Sequence, residues 1–283
     1  MLIIKTVDEL LEWRSLVESK KSIGFTPTMG ALHDGHLSLM EKSINQSDLS
    51  CVSIFLNPLQ FGKDEDLGSY PQNLDDDIQK IESMGADVVF IPSINDMYKD
   101  GDSLLITETN LSNRLEGASR PQFFNGVLTV VAKLFNLIKP DFAYFGMKDA
   151  QQLILIQKMV NDLKYPIQII PCQTIREKSG LAMSSRNGYL NEEQKEQAKI
   201  LYLSLMAAKK LINGGSNDSI MIKKEMEMML LSTPNLKIDY ISIAHIDTLI
   251  EIENKITTNQ TILISLAVFL NDVRLIDNIQ LTT

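Results

Sequence analysis

The chain has 283 residues, of which 44% are hydrophobic and 22% are charged; this is the composition of an ordinary globular protein, and the length predicts about two domains. Its 27 Lys and Arg against 36 Asp and Glu give a net charge of −9, which argues against a nucleic-acid-binding face. Two widely separated cysteines, acidic residues close to the N-terminus and the lack of a long uncharged run argue against secretion and against a membrane span, so we expect a cytoplasmic protein.

Residues 1–174 alternate short apolar runs with helical patterns, which is typical of an α/β fold with a doubly wound parallel sheet. The run 50–56, Ser-Cys-Val-Ser-Ile-Phe-Leu, is apolar almost throughout, as in a strand buried on both faces. The predicted strands are 2–4, 22–25, 50–56, 86–91, 103–107, 141–145 and 167–171. The predicted helices are 7–19, one that begins at an N-cap at Asp34, 74–84, 127–138 and 151–163, and residues 57–73 form a long loop.

The pattern changes near Thr174. A polar, glycine-containing loop at 178–188 is followed by two predicted helices, 191–212 and 216–231, and then by strand-like runs at 237–243, 261–269 and 273–277. We therefore expect a second, smaller α+β domain, with domains at 1–174 and 175–283.

Residues 24–36, Gly-Phe-Thr-Pro-Thr-Met-Gly-Ala-Leu-His-Asp-Gly-His, predict a strand, a tight loop and a helix start. The free N–H groups of a helix start suit a phosphate, and His33 and His36 can donate further hydrogen bonds to its oxygens. Two of the three histidines of the chain lie here, which favours a chemical role. His-x-x-His is also a metal-ligand spacing, and a plain helix start is the structural alternative, so both stay open at this point.

Other polar residues follow predicted strands, where ligands of a doubly wound sheet bind. Lys148 follows a strand–glycine turn and can neutralise charge on a phosphate, although a surface lysine is the simpler interpretation. Ser184, Ser185 and Arg186 are donors that suit phosphate oxygens, or a polar linker. The amides of Gln60 and Gln152 suit a polyol or a carboxylate substrate.

Two further groups are less specific. Arg120 can hold an anion, but its loop defines no geometry. Asp75, Asp76 and Asp77 open the helix at 74–84, where acids complement the helix dipole. Capping is therefore the favoured interpretation of these acids, and Mg²⁺ ligation is the alternative.

Several sequence blocks, taken in order, carry a family resemblance. They are Phe-Thr-Pro-Thr-Met-Gly-Ala-Leu-His-Asp-Gly-His at 25–36, Asn-Pro-Leu-Gln-Phe at 57–61, Tyr-Pro at 70–71 with three Asp at 75–77, Tyr-Phe-Gly at 144–146, Lys-Asp-Ala-Gln-Gln-Leu at 148–153, and Leu-Ala-Met-Ser-Ser-Arg-Asn at 181–187. With these blocks the chain resembles the pantothenate synthetase (pantoate–β-alanine ligase) family over nearly its full length. The histidine motif alone would indicate only the wider nucleotidyltransferase superfamily.

The resemblance implies a Rossmann-like domain at 1–174 that binds ATP and pantoate, a smaller C-terminal lid domain at 175–283, and a homodimer. It implies ATP with Mg²⁺, and (R)-pantoate and β-alanine as small-molecule substrates. Pantoate is first adenylated, with release of pyrophosphate. β-Alanine then attacks the bound pantoyl adenylate to give pantothenate and AMP.

The resemblance also implies roles for individual residues. The catalytic residues are His36, His33 and Lys148. Gln60 binds pantoate and β-alanine, Gln152 binds pantoate, and Asp76 and Asp77 are candidate outer ligands of Mg²⁺. The ATP-binding residues are Met29, Gly30, Ala31, Leu32, His33, Asp34, Gly35, His36, Gly146, Met147, Lys148, Asp149, Ile175, Met183, Ser184, Ser185 and Arg186.

The sequence departs from the family pattern at two positions. Met147 stands before the lysine where the family commonly has Glu, and Phe123 stands before Phe124 where many members have His. Two rival functions remain: a nucleotidyltransferase that acts on a phosphorylated small molecule, and a catalytically silent nucleotide-binding module. The two glutamines argue against the first, and the presence of both histidines, Lys148 and Arg186 argues against the second.

Overall fold

The computed structural model describes residues 1–62 and 65–283, which form two compact units. The first unit consists of Met1–Thr109, Arg120–Met147 and Gln151–Thr174. The second consists of Asn110–Ser119, Lys148–Ala150 and Ile175–Thr283, so two short segments that precede residue 174 belong to it. The predicted loop at 57–73 includes Lys63 and Asp64, which lie outside the described residues.

The first unit contains a six-stranded sheet in which every pairing is parallel. Its strands are β1 (Leu2–Ile4), β2 (Ile23–Thr28), β3 (Leu49–Ile54), β4 (Val88–Phe90), β5 (Phe142–Gly146) and β6 (Gln168–Cys172), in the order β1-β4-β3-β2-β5-β6. From the central pair β2 and β5, the sheet extends through β3, β4 and β1 on one side and to β6 on the other. This arrangement confirms the doubly wound parallel sheet. β2 and β3 are nearly fully buried, because they lie at the centre of the sheet.

The described residues contain ten α-helices. They are α1 (Val7–Leu16), α2 (Asp34–Gln46), α3 (Leu74–Met84), α4 (Ile94–Met97), α5 (Leu115–Ser119), α6 (Phe123–Ile138), α7 (Ala150–Asp162), α8 (Glu192–Ala198), α9 (Ile200–Asn213) and α10 (Ser219–Leu231). Local sequence signals define where several of these helices begin or end. Thr6 and Glu9 form a capping box at α1, Asn73 caps α3, and α3 ends at Gly85 in the left-handed conformation.

The second unit contains an antiparallel sheet of β7 (Leu236–His245), β8 (Thr261–Leu270) and β9 (Val273–Thr282), in that order. Helices α9 and α10 contribute Leu201, Leu205, Ile222 and Met226 to a core shared with apolar side chains of β8 such as Ile264. This arrangement confirms the smaller α+β part of the fold.

Several predictions about secondary structure are wrong in detail. Residues 103–107 form no strand, because the N–H of Ile106 bonds to the Thr129 hydroxyl at 2.9 Å and Leu104 is 89% exposed. The helix predicted at 191–212 divides at Lys199 into α8 and α9. Helix α6 begins at Phe123 rather than at residue 127. The N-cap of α2 is His33 rather than Asp34, because His33 has extended backbone angles and Asp34 is already helical.

Cys51 and Cys172 are both free and buried. Burial raises the pKa of the Cys51 thiol to about 12, so this side chain stays protonated and behaves as a small apolar group in β3. Among the described residues, no helix is long and apolar enough to cross a membrane.

Candidate active site

The loop between β2 and α2 has its shape fixed by a buried carboxylate. Gly30 and Ala31 both have positive φ, 85° and 52°. The Asp77 side chain, 2% exposed in the first turn of α3, accepts hydrogen bonds from the N–H groups of Ala31 and Leu32, both at 2.8 Å. A Cβ added to Gly30 would lie 3.0 Å from the same carboxylate. Asp77 therefore holds two consecutive backbone N–H groups of the predicted ATP segment.

Both histidines of this segment cap the helix that follows. The His33 Nδ1 accepts the Gly35 N–H at 3.1 Å, and the His36 Nδ1 accepts the His33 N–H at 3.3 Å. The ring centroids lie 4.1 Å apart. Because Nδ1 is an acceptor in each ring, the proton of each neutral imidazole lies on Nε2. The pair thus carries two Nε2–H donors at the start of α2, where the helix dipole is positive.

Gln60 lies at the end of a short 3₁₀ helix, Pro58–Gln60, which follows β3. Its Oε1 accepts a hydrogen bond from the Asn57 Nδ2 at 3.1 Å, and its Nε2 contacts the Met29 Sδ at 2.7 Å. Asn57, 1% exposed, also donates to the Gly126 carbonyl at 3.1 Å. The structure thus brings Met29 and Gln60 together, and Asn57 fixes the amide of Gln60.

The segment 57–62 also contacts the Arg120 side chain. The guanidinium makes a two-pronged ion pair with Glu65, at 2.7 and 2.5 Å, and donates to the Gln60 carbonyl at 3.3 Å. It stacks 3.7 Å above the Phe123 ring. Arg120, which the sequence offered as an anion clamp, is therefore engaged with protein groups that support Gln60. Gln152 is half-buried in the first turn of α7.

The second unit contains most of the remaining predicted ATP residues. Gly146 and Met147 belong to the first unit, whereas Lys148 and Asp149 belong to the second. The Lys148 Nζ lies 3.9 Å from the Asp149 carboxylate, and the Lys148 carbonyl accepts a hydrogen bond from Asn278 of β9 at 2.7 Å. Asn278 therefore fixes the backbone that carries the lysine.

Ile175 and the loop 183–186 are joined by a hairpin-like segment. The Met183 N–H donates to the Ile175 carbonyl at 2.9 Å, and Arg176 pairs with both oxygens of Asp277 at 2.6 and 2.9 Å. Ser184 caps the 3₁₀ helix Ser185–Tyr189 by accepting the Arg186 N–H at 3.3 Å. Asp277 thus anchors the base of the segment that presents Ser184, Ser185 and Arg186.

The described residues do not fit a protein-built magnesium site. They contain no group of three or more His, Cys, Asp or Glu side chains that could hold a metal ion. Both oxygens of Asp77 accept backbone N–H groups, and Asp76 pairs with Lys80 at 2.6 Å. The His33 and His36 Nδ1 atoms also accept backbone N–H groups, which disfavours the metal interpretation of the His-x-x-His spacing.

Sequence reasoning missed several residues that position the site. Asn57 was part of a sequence motif but was given no role, and no pattern in the sequence distinguished Gly126 or Asn278. Their effects depend on contacts between segments that are far apart in the chain. Asp77 was noticed for its charge, whereas its partners, Ala31 and Leu32, are 46 and 45 residues away.

A doubly wound parallel sheet with a donor-rich loop at the carboxyl end of β2 defines the class: a nucleotide-binding α/β enzyme. The chain belongs to the pantoate-beta-alanine ligase family, whose model matches residues 2–280. This confirms the resemblance on which the sequence interpretation relied.

Relatives match over nearly the whole chain. The pantothenate synthetase of Thermosipho africanus is 46% identical over 279 residues, 98% of this chain and 99% of that protein. The pantothenate synthetase of Caldicellulosiruptor bescii is 46% identical over 280 residues, 99% of this chain and 98% of that protein.

Solved structures agree with these relatives. The crystal structure of pantothenate synthetase from Thermus thermophilus has a TM-score of 0.93 at 37% identity and covers 100% of both chains. The ligase from Francisella tularensis, complexed with beta-gamma ATP and beta-alanine, has a TM-score of 0.80 at 36% identity, covering 99% of this chain and 97% of that chain.

Proposed function

We propose that the chain condenses (R)-pantoate with β-alanine through a pantoyl-adenylate intermediate. The overall reaction, ATP-dependent joining of the two substrates, is the activity of the family to which the chain belongs. ATP is the co-substrate, and the enzyme is a carbon–nitrogen ligase of pantothenate biosynthesis.

The first step forms a bond between a pantoate carboxylate oxygen and the α-phosphorus of ATP. The bond from the α-phosphorus to the bridging oxygen breaks, and pyrophosphate leaves with that electron pair. Negative charge grows on the phosphate oxygens as this happens. The observation that carries the proposal is the pair of Nε2–H donors of His33 and His36 at the positive end of α2, because such donors stabilise that charge.

The second step forms the amide. The amine of β-alanine attacks the acyl carbon of pantoyl adenylate, the bond from that carbon to the phosphate oxygen breaks, and AMP leaves. The amine gives up a proton as the amide forms. A protein that holds the intermediate away from water prevents its hydrolysis, which is the function that we propose for residues 175–283 as a lid.

Substrate recognition in the first unit is assigned to amides. We assign Gln60 to pantoate and β-alanine and Gln152 to pantoate. In support, the amide oxygen of Gln60 accepts a hydrogen bond from Asn57, so the NH₂ group, which faces the Met29 Sδ, is the part of the amide that can donate to a substrate carboxylate or hydroxyl.

Phosphate recognition also uses residues of the second unit. We assign Lys148, Asp149, Ile175 and the loop 183–186 to ATP. Two contacts within the second unit support this role. Asn278 holds the backbone of Lys148 through its carbonyl and does not engage the lysine ammonium. The ion pair of Arg176 with Asp277 holds the segment that leads to the loop 183–186.

Mg²⁺ is proposed as a companion of ATP. The carboxylates of the described residues do not fit a protein-built site, and no step is assigned to the ion. Mg²⁺ commonly binds through substrate phosphates and water, with few protein ligands.

We also propose that the protein is a homodimer and that it is cytoplasmic. Leu104 and Leu105 are 89% and 56% exposed on a segment that has no regular secondary structure and pairs with no strand of the described residues. Adjacent exposed apolar side chains are suited to association with a second chain. Light scattering of the wild-type protein and of Leu104→Glu tests this; a monomeric wild type rejects the homodimer.

Product analysis tests the reaction. Purified protein with ATP and Mg²⁺ should release AMP only when both pantoate and β-alanine are present, and labelled pyrophosphate should exchange into ATP with pantoate alone. AMP release without either substrate would reject the ligase mechanism. Exchange that requires a phosphorylated small molecule would favour the nucleotidyltransferase alternative.

A further inference from the structure

A chain of three side chains, the half-buried Tyr98 and the buried Asn57 and Gln60, leads from α4 to Gln60. The Tyr98 hydroxyl, directly after α4, donates to the Asn57 Oδ1 at 2.8 Å. The Asn57 Nδ2 then donates to the Gln60 Oε1 at 3.1 Å. Tyr98 is 41 residues from Asn57, so the contact exists only in the folded protein.

The partners of Asn57 determine which way its amide faces. Its Oδ1 accepts two hydrogen bonds, from Tyr98 and from the Leu59 N–H at 3.3 Å. Its two Nδ2 hydrogens go to two acceptors, the Gln60 Oε1 and the Gly126 carbonyl. Every polar atom of the amide is therefore satisfied in one orientation only, since a flipped amide would oppose donor to donor and acceptor to acceptor.

The orientation of Asn57 is passed to Gln60. Because the Gln60 Oε1 accepts from Asn57, the amide nitrogen of Gln60 lies on the opposite side, where it contacts Met29. Both side chains are buried, Asn57 at 1% and Gln60 at 9% exposure, so water does not readily compensate for a lost partner.

Tyr98 remains a hydrogen-bond donor across the working pH range, because burial raises the pKa of its phenol. Its ring has contacts that do not involve the hydroxyl. It packs against Phe55 with a centroid distance of 6.1 Å, and the Lys133 ammonium lies 4.7 Å above it. Removal of the hydroxyl alone therefore leaves the ring in place.

We infer that Tyr98 is a positioning residue for substrate binding: through Asn57, its hydroxyl makes Gln60 present an N–H donor, rather than a carbonyl acceptor, to the substrate. The inference rests on the proposed role of Gln60. A donor suits the carboxylates of pantoate and β-alanine, whereas an acceptor would repel them.

The first test is Tyr98→Phe, with steady-state kinetics for each substrate. We expect KM for pantoate or β-alanine to rise about tenfold, the effect of one buried hydrogen bond, while KM for ATP changes less than about twofold. The melting temperature should move by no more than about 3 °C. Tyr165→Phe is the control, because the Tyr165 ring packs on Phe135 and its hydroxyl takes no part in this chain of bonds. Unchanged KM values for both carboxylate substrates overturn the inference.

A double-mutant cycle separates positioning from general stability. In a Gln60→Ala background, Tyr98→Phe should have no further effect on KM, because the group that it orients is gone. If the two effects multiply instead, the hydroxyl acts elsewhere and the inference is wrong.

Asn57→Asp tests the same link without touching Tyr98. An aspartate keeps the acceptor for Tyr98 and Leu59 but cannot donate to Gln60, so the Gln60 amide should flip and turn its oxygen toward the substrate. We expect a larger rise in KM for the carboxylate substrates than with Tyr98→Phe, and an unchanged KM overturns the inference. Failure of the wild type to form pantothenate would instead reject the proposed function, so the two failures are distinguishable.

Discussion

Leu59 and Gly126 approach each other so closely that only a glycine fits. A methyl group added to Gly126 would overlap the carbonyl carbon and oxygen of Leu59 and would lie 2.7 Å from the Gln60 nitrogen. The first turn of α6 therefore packs directly on the backbone of the 3₁₀ helix that carries Gln60. The conformation of that segment depends on this contact, together with the bond from Asn57 to the Gly126 carbonyl.

Gly126→Ala should displace the segment 58–60 and move Gln60 from its position. We expect kcat/KM to fall by about 10²-fold, since small misplacements of binding groups have effects of that size. Overpacking should lower the free energy of unfolding by about 1–3 kcal/mol. Kinetics and thermal unfolding measure the two effects.

The matched control is Gly68→Ala. Gly68 has open space around its Cα, with nothing within 4 Å of an added Cβ. The same chemical change there should leave activity at the wild-type level. If the two variants behave alike, the close approach at Gly126 has no functional consequence.

Gln60→Glu inverts the polarity of the amide without changing its shape. One carboxylate oxygen can still accept from Asn57, and the other replaces the N–H donor with a negative charge. We expect a greater loss of kcat/KM than for Gln60→Ala, because Glu adds repulsion toward a carboxylate substrate. Parallel kinetics of the two variants decide this, and a Glu variant more active than the Ala variant would show that Gln60 accepts a bond from the substrate.

His36 has a structural and a proposed chemical function that can be separated by substitution. In His36→Asn, the Oδ1 can take the place of Nδ1 and accept the His33 N–H, whereas the Nε2–H donor is lost. We expect His36→Asn to retain nearly wild-type stability and to lose kcat by about 10²–10³, the usual effect of one electrostatic donor. His36→Ala should lose the same activity and, in addition, about 1 kcal/mol of stability with the cap. Wild-type turnover in His36→Asn would remove His36 from the chemistry.

Asp77→Asn tests whether this carboxylate has a structural or a metal-binding function. An amide presents one acceptor in place of two, so one of the Ala31 and Leu32 N–H groups would face an NH₂ group. We expect KM for ATP to rise and the melting temperature to fall, without a change in the Mg²⁺ concentration that gives half-maximal activity. Asp76→Asn, at the neighbouring half-buried position that pairs with Lys80, is the control. A shifted Mg²⁺ requirement in Asp77→Asn alone would instead support metal ligation.

Much of the first unit follows from local patterns. The apolar run 50–56 predicted a buried strand, and β3 is buried because it lies between β2 and β4 in the sheet. The glycine turn and the two histidines located the start of α2 to within a residue. Residues 103–107 show the limit, because Ser-Leu-Leu-Ile-Thr has the composition of a strand but pairs with no strand of the described residues.

The supporting contacts of the site could not be predicted, because each joins distant segments. The bonds from Tyr98 to Asn57 and from Asn57 to Gly126 span 41 and 69 residues. The capping function of the histidines was missed for a different reason: imidazole is an unusual N-cap, and the neighbouring Asp34 is a common one. Charge and residue type identified the candidate chemistry, whereas geometry determined which atom of each side chain is available.

The bonds from Asp77 to Ala31 and Leu32 also bear on the order of folding. Ala31 has a positive φ, which is unfavourable for a residue with a Cβ unless other contacts support it. That support comes from a helix that begins more than 40 residues later in the chain. A nascent chain that ends before α3 would carry both histidines without the loop conformation that presents them. We expect phosphate binding by this segment to arise only after α3 has packed onto the sheet, so the loop forms late although its sequence lies near the N-terminus.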